Sequence, residues 1–320
     1  MFRSSLASTS SPSGPFPASR REEGHATEPV RILRWSLALR ERILTAPPEA
    51  GRVHSVFERA LNILWHDGAL VALHGPAPLA APFAAAVTRL PEAGHLTPGT
   101  RVFHRENRIL LGPCVLDIEG GTLVDITIHP THEGPGPLAS ALVALGMPAA
   151  ASALSSQTGR SAQRRLADGI LNRDAQGFIE GACALVGLGE GLTPAGDDCL
   201  VGALAVLRHF AHRWLEEQPE IRAAIGTAAR VGTTMVGRDF ILHALDGAFS
   251  EAILHLVTTT SERDARRAVA YLAETGGTSG ADTLHGICLA LEALEFLTTR
   301  DHIRSIRGRR IHPASGVCSK

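Results

Sequence analysis

Three aspartates in two glycine-rich segments are the best candidates for chemistry in this sequence. The first segment contains Asp197 and Asp198 and reads Gly187-Leu-Gly-Glu-Gly-Leu-Thr-Pro-Ala-Gly-Asp-Asp-Cys-Leu-Val-Gly202. The second contains Asp282 and reads Gly280-Ala-Asp-Thr-Leu-His-Gly286. Both share the pattern G-x-D-x-L-x-G, both follow a threonine, and both run into an apolar stretch with helical spacing. We expect the two copies to form the walls of one site.

A helix start is a natural place for an anion, because its first N–H groups lack intrahelical partners and the helix dipole is positive there. Glycine also lets the backbone approach a ligand closely, and both segments are rich in it. The sequence therefore predicts a small anion, such as phosphate or a dicarboxylate, held between two helix starts. The predicted substrate-binding residues of these segments are Gly187, Gly189, Gly191, Thr193, Gly196, Thr278, Ser279 and Gly280.

A purely structural interpretation remains open. Thr193-Pro194 is typical of an N-cap followed by proline at the first helical position. Ser279 and Asp282 have the spacing of a capping box. On this interpretation the motif residues only start two helices.

The three aspartates are predicted to have different roles. Asp198 and Asp282 occupy equivalent positions in the repeat, which favours a structural role for both. Asp197 faces no acidic counterpart, since Ala281 stands at its position in the second copy. We therefore expect Asp197 to be the best candidate for catalysis, with Asp198 and Asp282 as further candidates. A Mg²⁺ ion that bridges the aspartates and a phosphate is an alternative, although no ligand spacing demands it.

Several other classes of site are disfavoured. The only lysine is Lys320, so the sequence has no internal lysine for a Schiff base or a P-loop. The sequence lacks G-x-S-x-G, and no βαβ pattern surrounds the glycines at 187–191. His129 and His132 form a possible metal pair without a third ligand. Among the arginines, Arg238 follows a further Thr- and Gly-rich helix start and could neutralise a bound anion.

Composition limits the partners and the compartment. A net charge of -1 gives no electrostatic footprint for nucleic acid, and no apolar run of about 18 residues predicts a membrane span. The 5 cysteines are scattered without a C-x-x-C pair, which fits a reducing cytoplasm. No cofactor is clearly indicated.

The elements that position these residues predict an α+β fold, with a β-rich N-terminal subdomain and a mostly α-helical C-terminal one. Residues 1–29 and 300–320 read as loose tails, and the subdomains span 30–133 and 134–299, with Gly134-Pro-Gly-Pro137 as the linker. We expect a helix over Val30–Ala46, a strand at Leu70–His74, and an antiparallel arrangement of short strands. The short strands are Val102–Arg105, Ile109–Leu111, Val115–Ile118 and Leu123–Ile128. The C-terminal helices are Ala139–Ala151, Ala162–Leu171, Phe178–Val186, Leu200–Leu215, Ile221–Arg230, Arg238–Val257, Glu262–Thr275 and Leu284–Leu297.

Three stretches resemble a bacterial family that includes the AllH-like subunit of oxamate carbamoyltransferase, from allantoin and purine degradation. They are Ser55–Asn62, Gly187–Asp198 and Gly277–Gly286, and they occur along this chain in the same order as in the family. The resemblance implies a transferase that converts oxalurate and phosphate to oxamate and carbamoyl phosphate. It also implies other carbamoyltransferase subunits as partners.

The resemblance also suggests residue roles. The glycine loop and Thr193 would hold one anion, and Thr278, Ser279 and Gly280 the other. Asp197 would orient or deprotonate the attacking amide. Arg59 and Asn62 would close the site from the first half of the chain, where Ser55 is a further predicted substrate-binding residue. The sequence lacks a Ser-x-Arg-Thr-Arg motif like that of ordinary carbamoyltransferases, so the site would be of a different design or completed by a partner.

Two further functions remain open from the residues. One is a non-catalytic subunit that binds a small anion or a nucleotide for a partner to act on. The other is a hydrolase that depends on the aspartates and Mg²⁺.

Overall fold

The computed structural model of the protein describes residues 29–91, 96–146 and 151–295. The two predicted tails lie outside these residues, apart from Pro29. The described chain has a strand-rich first part followed by a helical second part, which confirms the predicted mixed α and β character. The elements of the first part are β1 (Val30–Ser36), α1 (Leu37–Leu44), β2 (Glu49–Val56), β3 (Ala60–Trp65), β4 (Leu70–His74), β5 (Ala84–Val87), β6 (Arg101–Arg105), β7 (Arg108–Leu111), β8 (Cys114–Asp117) and β9 (Thr122–Val124).

The strands form one sheet that closes on itself as a barrel. Their order is β5-β4-β3-β2-β6-β7-β8-β1-β9, and β1 also pairs with β5. The predicted antiparallel arrangement is only partly correct, because β4–β5, β1–β8 and β1–β9 pair in parallel. Apolar side chains fill the core of this part, among them the fully buried Trp35 and Trp65.

The predicted helix over Val30–Ala46 is wrong in its first half. Val30–Ser36 is the strand β1, in which buried and exposed residues alternate at the start as in a half-buried strand. Ser36 then caps α1, since its hydroxyl accepts a hydrogen bond from the Leu39 N–H at 3.1 Å. The amphipathic pattern of this segment therefore combined a strand and a short helix.

The second part is helical, as predicted. Its elements are α2 (Gly136–Leu145), α3 (Ser152–Ser155), α4 (Gln157–Asn172), α5 (Ala175–Leu185), α6 (Ala195–Phe210), α7 (His212–Glu216), α8 (Pro219–Gly232), α9 (Met235–Leu245), α10 (Glu251–Thr258), α11 (Glu262–Ala273) and α12 (Ser279–Ala293). The predictions at 147–150 and at 296–297 fall outside the described residues.

Two helices that were predicted to be continuous are broken. The predicted helix Leu200–Leu215 divides at Ala211 into α6 and α7. The predicted helix Arg238–Val257 divides into α9 and α10, because Gly247 has a φ of 83° and the adjacent backbone pairs with residues 126–128. The next helix, α10, begins after Ser250, which is its N-cap. The dipeptide Asp246-Gly247 is a turn signal that predicts this break.

Helices α6 and α12 form the centre of the helical part. Every residue from Ala195 to Leu207 in α6 is buried, and α12 is buried almost throughout. A helix that is apolar on all sides is one that is surrounded by protein. The predicted linker Gly134–Pro137 leads into α2 with a proline in its first turn. The subdomain boundary that we placed there stays a prediction.

The two parts of the fold meet along β4, β5, α9 and α10. The rings of Phe83 and Phe240 contact each other edge to face, with centroids 5.1 Å apart. The buried Asp239 accepts a hydrogen bond from the Leu70 N–H at 2.6 Å. Glu251 pairs with Arg34 and accepts from the Leu79 N–H. Within the three described ranges, none of the helices combines the length and apolar character needed to cross a membrane.

Candidate functional site

The repeated motif is first of all a helix-packing device. A Cβ added to Gly202 of α6 would lie 2.1 Å from the Thr283 carbonyl oxygen of α12. In the reciprocal contact, a Cβ on Gly286 of α12 would lie 1.8 Å from the Cys199 carbonyl oxygen of α6. The last glycine of each copy therefore lets the two helices cross in backbone contact. The same relation holds for the first glycines, since Gly196 and Gly280 press against carbonyl oxygens of the preceding helices α5 and α11.

This packing corrects our interpretation of the glycine density. We attributed it to a ligand that approaches the backbone, but Gly187, Gly196 and Gly280 each face another stretch of backbone instead. Gly191 differs, because it has a φ of 94° and nothing within 4 Å of its added Cβ.

The prediction that the two motif copies meet is confirmed. The hydroxyl oxygens of Thr193 and Ser279 lie 2.6 Å apart, just before α6 and at the first residue of α12. Both capping predictions are wrong. Pro194, not Thr193, is the N-cap of α6, and Thr278, not Ser279, is the N-cap of α12. Neither cap residue makes a side-chain capping hydrogen bond.

Most of the amides at the two helix starts already donate hydrogen bonds within the protein, which differs from our expectation that they hold an anion. The N–H of Gly196 donates to Leu188 O at 2.8 Å, and the N–H of Gly280 donates to Thr275 O at 3.1 Å. The amides of Asp197, Asp198, Ser279 and Asp282 donate to carbonyl oxygens in the same way. A ligand at this place would therefore contact side chains and loop atoms more than first-turn amides.

A cavity of about 560 Å³ lies where the motif copies meet the barrel. Its walls come from β3, β4 and β5 on one side, and from α6, α9, α10 and the loops that precede α6 and α12 on the other. Eight of the predicted site residues line it, namely Arg59, Asn62, Gly191, Thr193, Asp198, Thr278, Ser279 and Gly280. The size and the mixed apolar and polar lining are typical of a small-molecule site.

The other predicted site residues do not line this cavity. Gly187 and Gly189 lie in the loop before α6, and Gly196 lies in the first turn of α6 against α5. Ser55 contacts the lining residue Asn62, because its hydroxyl accepts a hydrogen bond from the Asn62 side-chain amide at 3.2 Å. Arg238 lines a separate cleft of about 750 Å³, where it bonds to Asp239 at 2.7 Å and to Gly68 O at 2.7 Å.

Both carboxylate oxygens of Asp197 accept hydrogen bonds from other groups of the protein. One of its carboxylate oxygens accepts from the Gly187 N–H at 2.7 Å, and the other accepts from the Thr233 hydroxyl. It is 1% exposed, and burial raises its pKa while these two hydrogen bonds lower it. The geometry thus gives Asp197 a structural task, which is to fasten the glycine loop to the start of α9.

Asp198, in contrast, borders the cavity and has an oxygen without a hydrogen-bond partner among the described residues. This oxygen is the buried Oδ2, and the residue is only 8% exposed. Burial raises the pKa of this carboxyl to about 8. The nearby hydroxyls of Ser279 and Thr193 act against that shift, and the adjacent carboxyls of Asp282 and Asp197 add to it.

Asp282 occupies the equivalent position in α12 but faces the protein interior. It is 0% exposed, and its Oδ1 accepts from the Ala151 N–H at 3.0 Å. Burial raises its pKa, and the hydrogen bond from Ala151 lowers it. Asp282 therefore holds the segment that precedes α3, whereas Asp198 faces the cavity.

The predicted site residues leave out several polar residues of the lining, among them His74 and Ser250. His74, at the end of β4, bonds through Nδ1 to Gly75 O at 2.8 Å, and burial lowers its pKa. Ser250 enters the lining because the chain breaks between α9 and α10. A histidine at a strand end and a serine after Asp-Gly were the available signals for them.

The described residues offer no ligand set for a metal ion. In the three described ranges, no group of three or more His, Cys, Asp or Glu side chains is placed to hold one. His129 pairs with Asp125 at 3.3 Å, and the rings of His132 and His212 have centroids 6.4 Å apart. The magnesium alternative thus lacks an all-protein site there.

Comparison with known proteins identifies the family. Residues 185–291 match the family described as oxamate carbamoyltransferase subunit AllH. Residues 31–124 match the AllH family N-terminal domain. Together these ranges cover more than half of the chain. The chain belongs to the AllH family. The resemblance noted in the sequence is therefore confirmed, and no curated protein and no solved structure matches the chain.

One AllH match falls in each part of the fold. The N-terminal match spans nearly the whole barrel from β1 to β9, and the other covers all of α6 and nearly all of α12. The cavity lies between the two matched ranges, so both contribute residues to its walls.

Proposed function

We propose that this protein is a subunit of an oxamate carbamoyltransferase and binds the small anionic substrate in the cavity between the barrel and the starts of α6 and α12. The observation that supports this most is the pairing of Thr193 with Ser279 at that cavity, in a chain of the AllH family. The reaction would convert oxalurate and phosphate to oxamate and carbamoyl phosphate, together with other subunits of the complex.

The side chains around the cavity suit a small planar anion. Arg59 is the only arginine among the described residues that line the cavity, and it makes no hydrogen bond or ion pair with any described residue. It lies in the turn between β2 and β3, at the wall opposite the helix starts. The hydroxyls of Thr193, Thr278 and Ser279 offer donors on the other wall. A guanidinium and two or three hydroxyls can satisfy a carboxylate and an amide together.

The charge of the lining also indicates why other subunits would be needed. Among the described lining residues, the positive charge of Arg59 is offset by the negative charge of Glu190. The other acidic residue of the lining, Asp198, supplies no positive charge either. Oxalurate and phosphate are both anions, so this wall alone offers too little positive charge for the two. We infer that partner subunits supply further cationic groups.

Calorimetry of oxamate binding to the purified chain, alone and with its partner subunits, tests the site. We expect Arg59→Ala and Ser279→Ala each to weaken binding by about tenfold, which corresponds to about 1.4 kcal/mol. Arg105→Ala is the matched control, because Arg105 is exposed on β6 and does not line the cavity. Equal affinity in all variants, or no oxamate binding in either preparation, would contradict the proposal.

A chelator experiment distinguishes the remaining alternatives. Carbamoyl transfer that persists with a chelator argues against the magnesium-dependent hydrolase. A complex whose turnover is unchanged when this chain is omitted would instead contradict a role for this subunit in the reaction.

A further inference from the structure

We propose that Asp198 is the proton donor of this site and that it protonates the amide nitrogen which leaves when the carbamoyl group is transferred. The inference rests on the function proposed above. It replaces the role that we expected for Asp197, because the structure gives that residue other partners.

The geometry singles out Asp198 among the three carboxyls. Asp197 accepts hydrogen bonds on both of its oxygens within the protein. Asp282 also has one oxygen without a partner among the described residues, but it is fully buried and does not line the cavity. Asp198 is more than nine-tenths buried, borders the cavity, and has one oxygen without a partner. A buried charged carboxylate without a partner is costly, whereas a protonated carboxyl can donate its O–H to a ligand.

The groups around Asp198 favour the protonated form. Asp197 and Asp282 are its carboxyl neighbours, and Cys199 beside it is a fully buried thiol. Across the cavity the described titratable groups are Arg59, Glu190 and His74, and the pKa of His74 is lowered by burial. The contributions of α9 and α10 are Val236, Phe240, Ser250 and Ile253, which are uncharged. With the pKa of Asp198 raised to about 8, most of this carboxyl is protonated at neutral pH.

The transfer step then balances without another reactant. A phosphate oxygen forms a bond to the carbamoyl carbon of oxalurate, and the bond from that carbon to the oxamate nitrogen breaks. The nitrogen takes the proton of Asp198, so that it leaves as the uncharged amide group of oxamate, which keeps its carboxylate. The proton that hydrogen phosphate loses returns to the Asp198 carboxylate, either directly or through the paired hydroxyls of Thr193 and Ser279. A carboxyl that titrates near the working pH is suited to this exchange.

The first test measures the proton itself and needs no activity. Infrared spectra of the wild-type chain, minus those of Asp198→Asn, should show a carboxylic-acid band at neutral pH that disappears as the pH rises through about 8. A carboxylate band at neutral pH in the same difference spectrum would overturn the proposal.

The second test uses oxamate as the probe. Because a neutral Asp198 tolerates an anion and a charged one repels it, the affinity of the wild type should fall above pH 8, by up to about tenfold per pH unit. In Asp198→Asn, which imitates the protonated form, the affinity should be retained and should not change over this range. A pH-independent wild-type affinity would contradict the inference and leave the proposed function standing. Absence of oxamate binding would contradict the proposed function itself.

Turnover of the assembled complex completes the experiment. Asp198→Asn should lower the rate of carbamoyl transfer by about 100-fold or more, with little change in oxamate affinity. Asp168→Asn is the matched control, since it makes the same chemical change at an exposed position of α4 and should leave the rate unchanged. An unimpaired rate in Asp198→Asn would overturn the proposal.

Discussion

Two aspartates at equivalent positions of a repeat have different surroundings in the folded protein. Each has one buried oxygen without a hydrogen-bond partner among the described residues, but Asp282 bonds through its other oxygen to the backbone of another segment, whereas Asp198 borders the cavity. The repeat itself treats both residues alike, because it fixes only their place in the first turn of a helix. Their chemistry depends on what the fold places in front of each helix start.

The titration of Asp198 should be visible in stability. An unfolded aspartate ionises near pH 3.9, whereas the folded Asp198 keeps its proton up to about pH 8. Between these values the folded state binds the extra proton, so the free energy of unfolding decreases as the pH rises. Asp198→Asn cannot titrate, and its stability relative to wild type should increase by about 1 kcal/mol per pH unit over this window. Urea unfolding at several pH values measures this, and parallel curves for the two proteins would contradict it.

Substitution of Asp197 should lower the stability of the protein, because both of its oxygens accept hydrogen bonds. Asp197→Ala removes the acceptor of the Gly187 N–H and of the Thr233 hydroxyl, and we expect it to lower the free energy of unfolding by about 2 kcal/mol. Urea denaturation near neutral pH is the measurement. If Asp197→Ala keeps its stability and loses only turnover, the structural role is wrong and Asp197 is instead the catalytic residue.

At the scale of elements, the fold of the second part depends on the crossing of α6 and α12. Gly202 and Gly286 put the two backbones in contact, and the first glycine of each motif fits the helix start against the preceding helix. This arrangement places Thr193 beside Ser279. A motif that suggested ligand binding thus acts mainly by bringing two helix starts together.

A methyl group at this crossing should be poorly tolerated. In Gly202→Ala the new Cβ would lie 2.1 Å from a backbone oxygen of α12, so the helices must move apart, and we expect a loss of about 3 kcal/mol in stability. Gly226→Ala in α8 is the matched control, because its Cβ would meet only leucine side chains, the nearest at 3.8 Å. Alanine is the better helix former, so this control should gain about 1 kcal/mol. Thermal or urea unfolding of both variants checks the contrast, and equal losses would contradict it.

At the scale of the whole molecule, the cavity is built by both parts of the fold. The barrel contributes Arg59, Asn62 and His74, and the helical part contributes Thr193, Asp198 and Ser279. Phe83 and Phe240 pack against each other beside it, so the two walls are joined by apolar contact as well as by hydrogen bonds. A ligand in this cavity would touch residues that are far apart in sequence.

Hydrogen exchange with oxamate should therefore show protection on both sides. At about 100 times the dissociation constant, a ligand stabilises the bound state by about 2.7 kcal/mol. We expect slower exchange in the turn at residues 57–60 and in the loops at 190–193 and 275–280. The β6–β7 hairpin, which does not line the cavity, is the internal control. Protection of the helical loops alone would show that the barrel is not part of the site.

The sequence by itself determined the order of the fold and the place of the site. Periodicity separated a strand-rich half from a helical half, and the repeated G-x-D-x-L-x-G motif indicated two helix starts that meet. These features are local, since apolar spacing and turn residues act over a few neighbouring positions. The same rules failed at Val30–Ala46, because the apolar residues of a strand and of the short helix after it together have the spacing of one amphipathic helix.

Only the tertiary structure decided the role of each site residue. The closure of the barrel, the break that brings Ser250 to the cavity, and the different partners of Asp197 and Asp198 all depend on contacts between distant segments. The state of a carboxyl depends on its burial and on the donors that reach it. Neither quantity is encoded in the spacing of the motif, so the sequence located the aspartates and the fold distinguished them.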